Sequence, residues 1–178
     1  MRWLVAISAC RPLPGSVEAP SSAAMARGGG LVLQLEQTLV GPAGTAYGSA
    51  FARGDVNGDA LSDLVVGGPS SGGGRVDLYL GEAGTLATAP AWSFVGGAGT
   101  GSALAGCDVD ADGFDEIVVG DPVDQVVRVF PGWPTGPLEP VLLVGAPPNG
   151  SFGAAVACGD VDDNEVDDVV VGSPAGGG

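Results

Sequence analysis

With 178 residues the chain has room for one ordinary domain and is too short for a large two-domain enzyme. Its 33 Gly and 14 Pro stand beside 45% hydrophobic residues, which excludes a disordered chain and favours many short strands joined by tight turns. The formal charge of −15, from 21 acids against 6 arginines and no lysine, excludes nucleic acid as a partner. No apolar run reaches the roughly 18 residues that cross a bilayer as a helix, and no long stretch shows helical periodicity.

In chain order, residues 1–9 come first, with an apolar stretch from Trp3 to Ala9 that reads as the hydrophobic region of a shortened lipoprotein signal. Ile7-Ser8-Ala9-Cys10 spells a lipobox, which makes Cys10 a candidate for lipid anchoring, although the short stretch favours a truncated start. Residues 10–29, rich in Pro, Ala, Ser and Gly, are expected to be a flexible linker. Residues 30–45 are predicted to form the outer strands of a partial sheet unit, because Gly28 to Leu35 echoes Gly72 to Tyr79 further on.

Three units then follow. Tyr47-Gly48 to Asp55 aligns without a gap with Thr100-Gly101 to Asp108 and with Phe152-Gly153 to Asp160, and the aspartates are 53 and 52 residues apart. The units span 46–98, 99–149 and 150–178, the last incomplete. A fixed period of this length points to an array or a propeller. In the first unit the predicted strands are Ser49–Arg53, Leu64–Val66, the alternating Arg75–Leu80 with one buried and one wet face, and Ala91–Val95. The second unit repeats them with Val126–Phe130 and Val141–Val144. Four antiparallel strands per unit make a propeller blade, so the fold class is all-β, built of four-stranded antiparallel blades. Three units are too few for an ordinary closed ring, and an incomplete propeller is expected.

Between the first two strands of each unit lies an acidic loop. The three are Asp55 to Asp63, Asp108 to Glu116 and Asp160 to Asp168, and together they hold 14 of the 21 acids. Oxygen-bearing side chains stand at positions 1, 3, 5 and 9 in each. Calcium takes 6–8 oxygen ligands, and a tight loop supplies them from alternate short carboxylates and a backbone carbonyl. Without a cation such a loop repels itself, so ion binding and blade folding are expected to be coupled, with about three ions per chain. An EF-hand would carry an acid at position 12, where this chain has Val66, Val119 and Val171. The plain alternative is a set of Asx turns, which leaves the acid at position 9 unexplained.

The aromatic-Gly opening, the acidic loop and the Val-Val-Gly-x-Pro ending resemble the FG-GAP repeats of integrin-α-type β-propellers, over residues 47–69, 100–122 and 152–174. The resemblance implies side-chain ligands at positions 1, 3, 5 and 9 and a carbonyl ligand at position 7. Carried onto this chain, the metal ligands are Asp55, Asn57, Asp59, Leu61 and Asp63 in the first loop. The second set is Asp108, Asp110, Asp112, Phe114 and Glu116, and the third Asp160, Asp162, Asn164, Val166 and Asp168. Position 6 is usually Gly in that family. Here it is Ala60, Gly113 and Glu165, which predicts strain or weaker binding in the first and third loops.

The function expected on this basis is a calcium-stabilised, secreted or cell-surface binding or adhesion module for a protein or glycan ligand. The remaining blades would come from a longer chain or from a swapped homodimer. The alternative is the propeller scaffold of a secreted metal-dependent hydrolase. With no His and no Lys the chain lacks His-based triads and Lys nucleophiles, and no catalytic residue is proposed. Arg53-Gly54-Asp55 spells an adhesion tripeptide, but Asp55 opens a loop and is expected to be committed there. Asn149-Gly150-Ser151 spells a glycosylation sequon and is read as a turn. Cys107 and Cys158, out of step by one place in the repeat, are expected to be buried free thiols, and Trp92 and Trp133 are expected to pack between blades.

Overall fold

Each β-branched run becomes the second strand of its antiparallel sheet, and in the first two repeats its residues are buried on both faces of the pleat. The computed structural model describes residues 4–11, 32–133, 140–145 and 150–174. The strands are β1 (Leu4–Arg11), β2 (Val32–Val40), β3 (Ala50–Gly54), β4 (Asp63–Gly68), β5 (Arg75–Tyr79), β6 (Gly81–Glu82) and β7 (Thr85–Leu86). They continue with β8 (Trp92–Val95), β9 (Ala103–Cys107), β10 (Glu116–Asp121), β11 (Val126–Phe130), β12 (Val141–Val144), β13 (Ala155–Gly159) and β14 (Asp168–Gly172). No helix occurs among the described residues. Two four-stranded antiparallel sheets, β3-β4-β5-β8 and β9-β10-β11-β12, are the first and second blades. The β13-β14 pair is the inner half of a third.

Strand pleating decides which blade each residue meets. Val65 of β4 joins Val76, Leu78 and Trp92 in a core shared with Leu104, Ile117, Val119 and Phe130 of the second blade. Val118, on the opposite face of β10, packs with Val127 and Val129 toward Phe152, Val156, Val169 and Val171. Val66, one residue along from Val65, instead packs with Leu39, Tyr47 and Tyr79. Each fully buried valine contributes roughly 1.5–3 kcal/mol relative to exposure. Trp92 and Trp133 meet edge to face at 5.9 Å between the two blades, as the sequence suggested.

The Gly of each Val-Val-Gly ending has a mechanical reason. Gly67 and Gly120 lie so close to the carbonyls of Gly101 and Gly153, in the next repeat, that a Cβ at either place would strike backbone. Gly48, Gly101 and Gly153 all take positive φ, at 85°, 80° and 87°, and each donates its N–H to the ending glycine of its own blade.

Two expectations change, at β5 and at the thiols, and the amino-terminal segment is described only in part. Leu4–Arg11, within the segment expected as signal and anchor, is strand β1 paired antiparallel with β2, with Cys10 opposite Leu33. The linker expected over 10–29 lies outside the described residues from 12 onward, as does Asn149 of the sequon. The wet face of β5 is not wet: Asp77 is buried, accepting from Arg75 Nε at 2.8 Å and Ser93 Oγ at 2.5 Å, and Tyr79 is buried against Tyr47, hydroxyl to hydroxyl at 2.9 Å. Burial raises the Tyr47 hydroxyl far above the ordinary tyrosine value.

The last correction concerns the thiols. Cys107 and Cys158 form a disulfide joining β9 to β13, with Cα atoms 5.9 Å apart. Inner strands of successive blades meet one residue out of step. Gly106 lies against the peptide joining Arg53 to Gly54 at the first junction, and Cys158, the repeat equivalent of Gly106, is bonded to Cys107, the equivalent of Gly54, at the second. The offset that argued against a bridge is what creates it.

Candidate metal centres

All three acidic loops close on the same hydrogen-bond pattern. The carboxylate at position 1 accepts the N–H groups of positions 5 and 6. The distances are 3.0 and 2.7 Å for Asp55, 3.1 and 3.0 Å for Asp108, and 3.0 and 2.8 Å for Asp160. Position 5 accepts from the N–H of position 7: Leu61 donates to Asp59, Phe114 to Asp112 and Val166 to Asn164, at 2.8, 2.9 and 2.8 Å. The turn needs left-handed backbone at two places. Position 4 has φ of 73°, 58° and 60° at Gly58, Ala111 and Asp163, and position 6 has 64°, 90° and 70° at Ala60, Gly113 and Glu165. Ala60 and Glu165 therefore sit where a Cβ is disfavoured by roughly 1–2 kcal/mol.

The acid at position 9 has a place in the fold itself. Asp63, Glu116 and Asp168 accept the N–H of position 2 (Val56, Val109 and Val161) at 2.9, 2.8 and 3.1 Å. In the two full blades the second oxygen is also bound, Asp63 by Gly81 N–H at 2.8 Å and Glu116 by Gly132 N–H at 3.0 Å. Gly81 and Gly132 follow the third strand of each blade, so these two donors were not visible in the loop sequence. Asp63 and Glu116 are almost fully buried, and burial raises both pKa values, opposed by these donors and assisted by neighbouring carboxylates. Exposed Asp160 is lowered, chiefly by the Glu165 N–H.

Asp108, Asp110 and Glu116 can each place an oxygen within 4.8 Å of the other two, and so can Asp160, Asp162 and Asp168. The first loop forms no such carboxylate trio; there Asn57 Nδ2 donates to Asp59 Oδ2 at 3.0 Å. Asp112 stands outside the second trio, bound to the Phe114 N–H. Among the described residues the ion pairs are Arg75–Asp77 and Arg128–Asp121, and neither reaches a loop. The crowded donors are thus all hard oxygens with no cationic side chain to balance them, a set that suits calcium and no soft metal.

The loops are also tied to one another, which the repeat pattern did not reveal. Asp115 of the second loop donates its N–H to Asp55 O at 2.9 Å, and its Oδ2 accepts the Asp55 N–H at 2.7 Å. Trp133 N–H reaches Val56 O at 2.8 Å, and Asp167 N–H reaches Asp108 O at 3.3 Å. Gly54 is buried beneath Asp115, so the Arg53-Gly54-Asp55 tripeptide is held in this junction.

Residues 55–119 match the FG-GAP-like repeat, a span that runs from the first loop through the second. The chain belongs to the FG-GAP repeat family. Integrin α chains are among its relatives. Integrin alpha-3 of Cricetulus griseus is 33% identical over 165 residues, 79% of this chain and 15% of that protein. Integrin alpha-7 of Rattus norvegicus is 34% identical over 148 residues, 74% and 13%. Integrin alpha-PS3 of Drosophila melanogaster is 32% identical over 99 residues, 49% and 9%. The chain thus spans only a small part of the length of each of these integrins.

Proposed function

We propose that this FG-GAP chain is a calcium-stabilised propeller module that works outside the cell or at its surface, binding a protein or glycan ligand without catalysis. The observation that carries the reading is the pair of carboxylate trios, Asp108-Asp110-Glu116 and Asp160-Asp162-Asp168, set at matching places in successive repeats and, among the described residues, paired with no basic side chain. Calcium supplies the missing positive charge and draws the loop oxygens together. Asp55, Asn57, Asp59, Leu61 and Asp63 would hold one ion in the first loop, with the Leu61 contribution a carbonyl. Asp108, Asp110, Asp112, Phe114 and Glu116 would hold the second, and Asp160, Asp162, Asn164, Val166 and Asp168 the third, with carbonyls from Phe114 and Val166.

The likeness to integrin α chains supports an adhesion role, and millimolar extracellular calcium suits loops of this kind. A disulfide joining two blades also fits an oxidising compartment. Further blades, from flanking sequence or a second copy, would cover Phe51 and Val170, which are half exposed. Thermal unfolding followed by circular dichroism, in millimolar calcium and in chelator, tests the reading. A midpoint that rises with calcium supports it, because an ion that binds only the folded chain stabilises it by mass action. Identical curves would contradict it.

A further inference from the structure

We infer that Asp115 is a positioning residue that couples the first two calcium loops, so that an ion in either one raises the affinity of the other. The inference rests on the calcium reading above. Asp115 lies between Phe114 and Glu116, two of the groups expected to hold the ion of the second loop. It is itself turned away from that ion's place and grips the neighbouring loop at both backbone atoms of Asp55, through its Oδ2 at 2.7 Å and its N–H at 2.9 Å. Asp55 in turn organises the first loop, its two oxygens accepting from Asp59 and Ala60. The Phe114 ring lies directly over Gly58, so near that a Cβ on Gly58 would overlap it.

A continuous rigid path therefore runs from the last two ligand positions of one loop to the first ligand position of the other. An ion in the second loop fixes residues 114 to 116, which fixes Asp115, which fixes the backbone of Asp55 before its own ion arrives. Ordering that is already complete does not have to be supplied again by the second ion, and linkage makes the effect reciprocal. The second and third loops lack this side-chain grip. Asp167 repeats only the backbone half, at 3.3 Å, and Ser62, at the same place in the first loop, carries no carboxylate.

The test is a calcium titration of the whole chain followed by amide NMR, with Gly58 reporting the first loop and Gly113 the second. Removing the second site with Asp108→Asn plus Asp110→Asn should weaken binding at Gly58 about tenfold, within the usual range of coupling between sites. In an Asp115→Ala background the same pair of changes should leave Gly58 binding unaltered. Asp115→Asn keeps an acceptor oxygen and the N–H, so it should retain the coupling and serves where the alanine variant does not fold. Gly58 binding that ignores loss of the second site would overturn the coupling while leaving the calcium reading intact. So would coupling that survives Asp115→Ala. Absence of any response at both Gly58 and Gly113 in the unaltered chain would instead remove the calcium reading, and the coupling with it.

Discussion

Val118 and Val170 occupy the same place in successive repeats, yet Val118 is 0% exposed and Val170 is 48% exposed. Both point toward the blade that follows. The second blade has the third half-blade against that face, whereas β14 has no described strand beyond it. Identical chemistry should then differ in energy. Val118→Ala is expected to cost about 2 kcal/mol in urea unfolding, from lost burial and the cavity left behind. Val170→Ala should stay within about 0.5 kcal/mol. Equal costs would mean that the β14 face is covered in solution.

Asp121 anchors the crossing between the first two blades. Fully buried, it accepts from Thr100 Oγ1 at 2.6 Å and Asp124 N–H at 3.1 Å, and pairs with Arg128 Nη1 at 3.5 Å. Asp121→Ala strands all three donors and should destabilise by about 3 kcal/mol. Thr100→Val, which removes one donor and leaves the others paired, should cost about half as much. Chemical denaturation of the two variants distinguishes this from a peripheral ion pair, for which both changes would be nearly silent.

The Cys107–Cys158 bridge closes a separation of 51 residues. Intact protein should show one reactive thiol after unfolding and three after reduction. Cys107→Ser plus Cys158→Ser should lower stability by roughly 2–4 kcal/mol, largely by freeing the unfolded chain. Three reactive thiols in unreduced protein would disprove the bridge.

The grammar of the repeat was legible because each of its signals is local. The β-branched runs, the alternation of β11, the glycines near the ends of β4 and β10, and the aspartate spacing all follow from neighbours in sequence. What was hidden depends on contacts between blades. Asp77 looked solvated by alternation, and is buried because Arg75 and Ser93 satisfy it. Cys158 meets Cys107 through a one-residue stagger that no single repeat encodes. Asp115 carries the same letter as a ligand but serves the loop next door. The acid at position 9 looked explicable only by metal, yet it also accepts the position 2 N–H in every loop.

Ala60 offers a gain in stability. Its φ of 64° is left-handed, and Gly113 holds the equivalent place in the second loop. Ala60→Gly should stabilise the chain by about 1 kcal/mol, relief of the Cβ clash outweighing the added freedom of the unfolded chain. Thermal unfolding in calcium would show it, and a loss of stability would mean that the first loop closes differently.

Without calcium, pH should act through Asp63 and Glu116, whose pKa values are raised by burial. Both groups hold a proton more tightly in the folded chain than in the unfolded one. Their stabilising contribution is therefore fully present below the ordinary carboxylate range, near about 4, and is lost as pH rises through their raised values. In chelator the melting midpoint should fall as pH rises above the ordinary carboxylate range. Asp63→Asn plus Glu116→Gln should flatten that slope. A midpoint that climbs instead would contradict the assignment.

Isothermal calorimetry of chelated protein with calcium tests the central claim most directly. About three ions per chain are expected, and about two when Asp108 and Asp110 are changed to Asn. A folded chain that takes up no calcium at millimolar concentration would show that these carboxylates serve only to close the turns.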